Sequence, residues 1–194
     1  MKPLERLFIC CFILLASNGF SQPISMYQQH NGRYDYTAIG NTLNTSENGA
    51  FTNCSILTGS SANLNINSNQ TVIAAYLYWA GSGDGDFEIN LNNNPMTPDR
   101  TFSYELDENR KFFAAFTDIS QIVQDHGSGT YTLTDLDNIN ISQNYCSTGT
   151  NFAGWSIVVV YEDENSPLNQ INIYDGLEAV PEAITIQLDN LNVL

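Results

Sequence analysis

Basic residues are scarce in this chain. Six lysines and arginines stand against 21 aspartates and glutamates, a formal charge of −15 over 194 residues. So few cations exclude the basic stripe that displaces counterions from nucleic-acid phosphates, and they equally exclude electrostatic attraction to an anionic membrane surface. Long apolar runs are lacking too. The one unbroken stretch, LFICCFILLA over Leu7–Ala16, has ten residues, short of the ~20 a helix needs to cross a bilayer, so no membrane span is expected. Motifs of covalent and metal catalysis are missing: there is no G-x-S-x-G elbow, no H-E-x-x-H pair and no phosphate loop. The two histidines, His30 and His126, lie in polar segments. No catalytic residue is assigned and an enzyme is not expected; a secreted hydrolase is kept as the third alternative.

The first 21 residues read as a secretory signal. Lys2 and Arg6 make a charged start, Leu7–Ala16 is the apolar centre, and Gly19-Phe20-Ser21 places small residues at −3 and −1 of a cut before Gln22. The plainer reading is a buried N-terminal helix, but no amphipathic face continues past it. Without this segment Arg33, Arg100, Arg110 and Lys111 face 20 acids, a charge of −16. Only Cys54 and Cys146 then remain. In an exported chain they form one disulfide, or stay as two separately buried thiols. The bridge closes a loop of about 90 residues, worth roughly 4–5 kcal/mol on the chain-entropy model.

Asparagine is abundant, at 24 residues. With Ser, Thr and Gly it favours turns and strands over helices, because these side chains compete for the helical backbone's hydrogen bonds. Strand patterns recur over Thr71–Ala80, Phe87–Leu91, Thr101–Leu106, Tyr131–Leu136, Trp155–Tyr161, Asn169–Tyr174 and Ala183–Leu188, separated by Gly/Asn/Asp/Pro clusters. Short strands at such intervals predict an all-β protein, an antiparallel β-sandwich of jelly-roll type. One short helix is expected over 118–124, capped by Asp118, with Ile119, Ile122 and Val123 toward the core. Residues 22–194 read as a single domain: 22–68 as irregular segments and edge strands, 69–194 as the main sandwich. The apolar ending, AITIQLDNLNVL, reads as a chain cut in mid-architecture or as one whose last strand stays paired to the end; in the first case the open strand is free to pair with a following module.

Two acidic loops carry the cofactor reading. Asp84 and Asp86, and Asp135 and Asp137, place hard oxygen ligands at alternate positions beside Gly or Asn, a chemistry that suits calcium. Neither completes a helix–loop–helix calcium loop, and solvated turns in an acidic protein explain them more simply. Of the aromatics, Tyr76 and Tyr78 share one face of their strand and Ala75, Leu77 and Trp79 the other. Trp155, within WSIVVV, reads as core. An exposed Trp pair would instead make a sugar-stacking platform.

Several segments together resemble the N-terminal region of the adhesin-like secreted proteins of gliding Bacteroidetes that carry a gliding-motility-associated C-terminal sorting domain. The resemblance lies in AYLYWAGSG (Ala75–Gly83), DRTF (Asp99–Phe102), FFAAFTDISQIV (Phe112–Val123), YTLTDLD (Tyr131–Asp137), YCSTGTNFAGWSIVVVYED (Tyr145–Asp163) and LNQINIYDGLE followed by VP (Leu168–Pro181). It spans about residues 70–194 and includes no sorting domain. It implies type IX secretion to the outer cell surface or medium, and a non-catalytic adhesion or spacing role. A carbohydrate-binding module is the alternative. The partner expected is a surface glycan or a protein ligand.

Overall fold

The computed structural model describes residues 23–48, 54–178, 185–188 and 191. The signal segment lies outside the described residues, as does part of the last expected strand. Eleven strands occur among the described residues, and every pairing is antiparallel. They are β1 (Ser25–Gly32), β2 (Tyr34–Thr42), β3 (Ser60–Leu64), β4 (Gln70–Ser82), β5 (Ile89–Leu91), β6 (Asn94–Met96), β7 (Arg100–Asp107), β8 (Arg110–Asp118), β9 (Gly129–Thr134), β10 (Ala153–Asp163) and β11 (Asn169–Asp175). Two short helices, α1 (Ser120–His126) and α2 (Gln143–Cys146), interrupt them.

A five-stranded sheet in the order β2-β10-β4-β8-β7 faces a four-stranded sheet in the order β3-β9-β5-β6. This is the all-β sandwich the strand pattern predicts. Period-2 alternation builds its core. Ala75, Leu77 and Trp79 of β4, Trp155, Ile157 and Val159 of β10, and Phe113 and Ala115 of β8 point inward to meet Ile89, Leu91, Tyr131 and Leu133 of the smaller sheet. Trp79 and Trp155 are cross-strand partners. Both indole N–H groups are satisfied, Trp79 by the Asp86 carbonyl and Trp155 by Ser60 Oγ, each at 2.8 Å.

A third layer lies outside this sandwich. The β2–β10 ribbon turns a corner and continues as the two-stranded β1–β11 sheet, folded back over the outer face of the five-stranded sheet. The corner is tied by Asp163 N–H to Arg33 O (2.9 Å), Arg33 Nη1 to Ser166 O (2.7 Å) and Asn169 Nδ2 to Tyr34 O (2.9 Å). Tyr27, Ile171 and Ile173 of this strap pack on Ala74, Tyr76, Phe116 and Val160. The central part of β4 is therefore covered on both sides, which is why TVIAAYLYWA is apolar without alternation.

The Cys54–Cys146 disulfide is formed, with the two Cα atoms 5.6 Å apart. It ties α2 to the segment before β3. Three sequence expectations are corrected. Helix α1 begins at Ser120 rather than 118, because Asp118 still pairs with Tyr76 at the end of β8. Its carboxylate accepts the Ser120 N–H at 2.8 Å, and Ile119 and Val123 are buried as expected. Strand β8 was not expected, since FFAAF has aromatic and small residues on both faces and no alternation to read. Residues 185–188, expected in a strand, form none and are exposed. The 22–68 stretch does supply edge strands: β2 edges the larger sheet and β3 the smaller.

Candidate functional site

The two acidic loops do converge at one end of the sandwich, but their carboxylates have separate tasks. Asp86 is 8% exposed, and its Oδ2 accepts the backbone N–H groups of both Asp137 and Asn138 at 2.8 Å. Asn138 Nδ2 returns to Gly85 O at 3.3 Å. Asp86 is thus a staple between the loops. Asp84 turns outward, 85% exposed, toward Lys111 Nζ at 3.2 Å. Asp135 sits in the left-handed region at φ 65° and accepts from Asn90 and Thr134. Asp137 enters through its backbone. Among the described residues no group of three or more His, Cys, Asp or Glu is placed to hold a metal ion.

A second polar cluster lies under the strap. Arg100, on β7, pairs with Asp175 at the end of β11 and lies over the rings of Tyr27 (4.2 Å) and Phe116 (4.6 Å). Burial pushes the Asp175 carboxyl up from its ordinary range, and Arg100 partly offsets that. Tyr78 Oη donates to Asp175 at 3.4 Å. His30 and Tyr76 share a hydrogen bond of 3.0 Å, burial lowers the His30 pKa, and burial raises that of Tyr76 to about 12. These groups anchor the strap. His126 is exposed and meets the edge of Tyr131 at 4.9 Å.

Two of the open concavities among the described residues bear on function. The larger, about 900 Å³, is lined by Asn92–Asn94, Thr130, Thr132, Thr134, Asp125 and His126, with Met96 and Ile122. Asn92 and Asn93 both have positive φ, as a two-residue hairpin turn between β5 and β6 requires. The Asn92 side chain extends the β9 ladder, accepting the Thr132 N–H at 2.8 Å. The Thr130 and Thr132 hydroxyls are paired with Asn63 and Ser61.

The other is an apolar trough on the outer face of the five-stranded sheet, on the part the strap leaves bare. Register makes it. Thr42, Gly154, Ala80 and Ala114 are successive partners across β2, β10, β4 and β8, giving a strip of small side chains at right angles to the strands. Three inter-strand steps span about 14 Å. One residue row further along stand Phe152, Phe112 and Tyr104; Phe112 and Phe152 are stacked, with centroids 5.8 Å apart and planes at 19°. Tyr78 and Ser156 border the other side. Two cavities of about 420 and 410 Å³ share Phe152 and make up the trough. No single stretch of sequence signals it, because each strand contributes one residue to the floor.

Neither a family model, nor a curated protein, nor a solved structure matches the chain. Among the described residues, no helix is long and apolar enough to cross a membrane.

Proposed function

We propose that this chain is a non-catalytic binding module of an exported, adhesin-like surface protein, and that the trough is its contact surface. The observation that carries the reading is the trough itself. Half-buried aromatic rings surround a floor of Ala, Gly and Thr on the outer face of the five-stranded sheet, where a purely structural face would be polar or covered. The resemblance to secreted proteins of gliding Bacteroidetes supports the compartment, and the Cys54–Cys146 bridge suits an oxidising one. The carbohydrate-binding alternative loses the Trp pair as a stacking platform, since Trp79 and Trp155 are 1% and 5% exposed. What favours it is the large groove of neutral amides and hydroxyls around Asn92–Asn94.

The test is a panel of immobilised polysaccharides and surface-matrix proteins, read by biolayer interferometry. Wild type is compared with Ala114→Arg, which blocks the trough, and with Asn93→Ala, which alters the polar groove. Binding lost only in Ala114→Arg, with the melting temperature unchanged, supports the leading reading. Binding to a polysaccharide lost only in Asn93→Ala supports the alternative. Binding indifferent to Ala114→Arg refutes the trough as the contact surface.

A further inference from the structure

We propose that the occupant of the trough is a segment of a partner protein that sets aliphatic side chains on the floor and a lysine or arginine at the Phe152 end. The inference rests on the trough being a contact surface and adds the chemistry of the partner.

The floor selects apolar atoms. Of Thr42, Gly154, Ala80 and Ala114, only Thr42 has a polar side chain, and its hydroxyl is already engaged by Asn44 and the Ala153 carbonyl. A saccharide laid on this strip would bury hydroxyls without partners, which is costly. An aliphatic side chain gains by leaving water there. The aromatic end already seats one: Leu177, just past β11, lines it with Tyr104, Phe112 and Phe152. An extended segment carries same-face side chains about 7 Å apart, so two of them fit along the ~14 Å floor.

The rim selects cations. Glu178 stands beside Leu177 at the aromatic end, and Glu47 lines a small cavity that shares Thr42 and Phe152 with the trough. Among the described residues neither glutamate has an ion pair, and no lysine, arginine or histidine lines these cavities. The cations of the described residues are engaged elsewhere: Arg100 by Asp175, Arg110 by Asp107, Lys111 by Asp84, and Arg33 by the Ser166 carbonyl. The charge at the Phe152 end is therefore left for a partner to neutralise. The chain's own −15 adds to the pull on cations. An anionic lipid surface, or a partner as acidic as this chain, is repelled. Rim charges set orientation and on-rate more than affinity, so the floor supplies most of the binding and the glutamates fix which way the segment lies.

The test uses the full chain with Cys54–Cys146 intact. A library of random peptides displayed on phage is selected on immobilised wild type and counter-selected on Ala114→Arg, once the two melts match. Ala80→Lys takes its place if Ala114→Arg melts differently. Expected are sequences with alternating aliphatic residues beside Lys or Arg. One of them, synthesised with a fluorophore, should bind wild type, bind Ala114→Arg undetectably, and bind Glu47→Gln/Glu178→Gln about fivefold more weakly than wild type. Added salt should weaken it. Recovered sequences with no bias toward cations overturn the proposal, and so does an affinity unmoved by both salt and the glutamate variant. Recovery of no sequence that distinguishes wild type from the blocked variant overturns a protein segment as occupant. The immobilised-ligand panel then separates the two readings. Binding there that is still lost in Ala114→Arg leaves the trough as a contact surface with a different occupant, and binding indifferent to Ala114→Arg removes both.

Discussion

Asp86 separates two accounts of the acidic loops. As a staple, its carboxylate satisfies two backbone N–H groups, those of Asp137 and Asn138, both at 2.8 Å from an oxygen in a side chain only 8% exposed. Hydrogen bonds to a charged acceptor are worth roughly 1.5–3 kcal/mol each. The donors belong to exposed residues, so water recovers part of that loss in a truncated variant. Asp86→Ala is therefore expected to cost about 2–4 kcal/mol, and Asp86→Asn, which keeps a neutral carbonyl acceptor, about 1–2 kcal/mol. For a domain of this size, each kcal/mol lowers the melting temperature by about 2–4 °C. The assay is urea unfolding followed by tryptophan fluorescence, in calcium and in excess chelator. Trp79 reports the same loop, because its indole N–H donates to the Asp86 carbonyl at 2.8 Å. A staple gives the same loss in both solutions. A loss that vanishes in chelator would make Asp86 a metal ligand and refute the staple, and so would an Asp86→Ala variant as stable as wild type.

Other expectations follow from the same contacts. Replacing Cys54 and Cys146 together by Ser frees a loop with a sequence separation of 92 and should cost roughly 4–5 kcal/mol in urea melts, with reduction of the wild type giving the same shift. Leu77→Ala, at a fully buried position, should cost about 2–5 kcal/mol by the same measurement. Asp175→Ala leaves Arg100 under the strap without its partner. Because the Arg100 side chain is 33% exposed, the loss should be about 1–3 kcal/mol, below that for a fully buried pair, and Arg100→Met/Asp175→Leu should recover most of it. Burial lowers the His30 pKa below its usual 6.5, so the unfolded chain binds more protons as pH falls through that range. Stability should then decrease from about pH 7 to 5, and His30→Gln, which can still bond Tyr76, should flatten that limb of the urea-melt profile. Asp175 acts with the opposite sign at lower pH. Its raised carboxyl takes up its proton in the folded state first, so its contribution to stability increases as pH falls through the folded value toward 3.8.

Local pattern made much of the sandwich legible. β-Branched and aromatic content, bounded by turn clusters, placed the β4, β7, β9 and β10 segments to within a few residues, and strand geometry put Trp79 and Leu77 on the core face with Tyr76 and Tyr78 opposite. A pair of cysteines in a chain read as exported was enough to name the bridge as the first of two readings. Period 2 is a property of one strand and survives without its neighbours. The tertiary structure alone decided the rest. Strand β8 escaped because FFAAF puts aromatic and small residues on both faces and so has no polar face to alternate with. The strap escaped because β1 and β11 pair across more than 130 residues, and nothing in either stretch marks a ribbon that folds back. Asp86 reads like any acid in a Gly-rich loop until the Asp137–Asn138 backbone is brought against it. The trough is the furthest from the sequence. Thr42, Gly154, Ala80 and Ala114 become one floor only through the register of four strands. Register is set by turns, bulges and packing between segments far apart in the chain, and no local pattern encodes it.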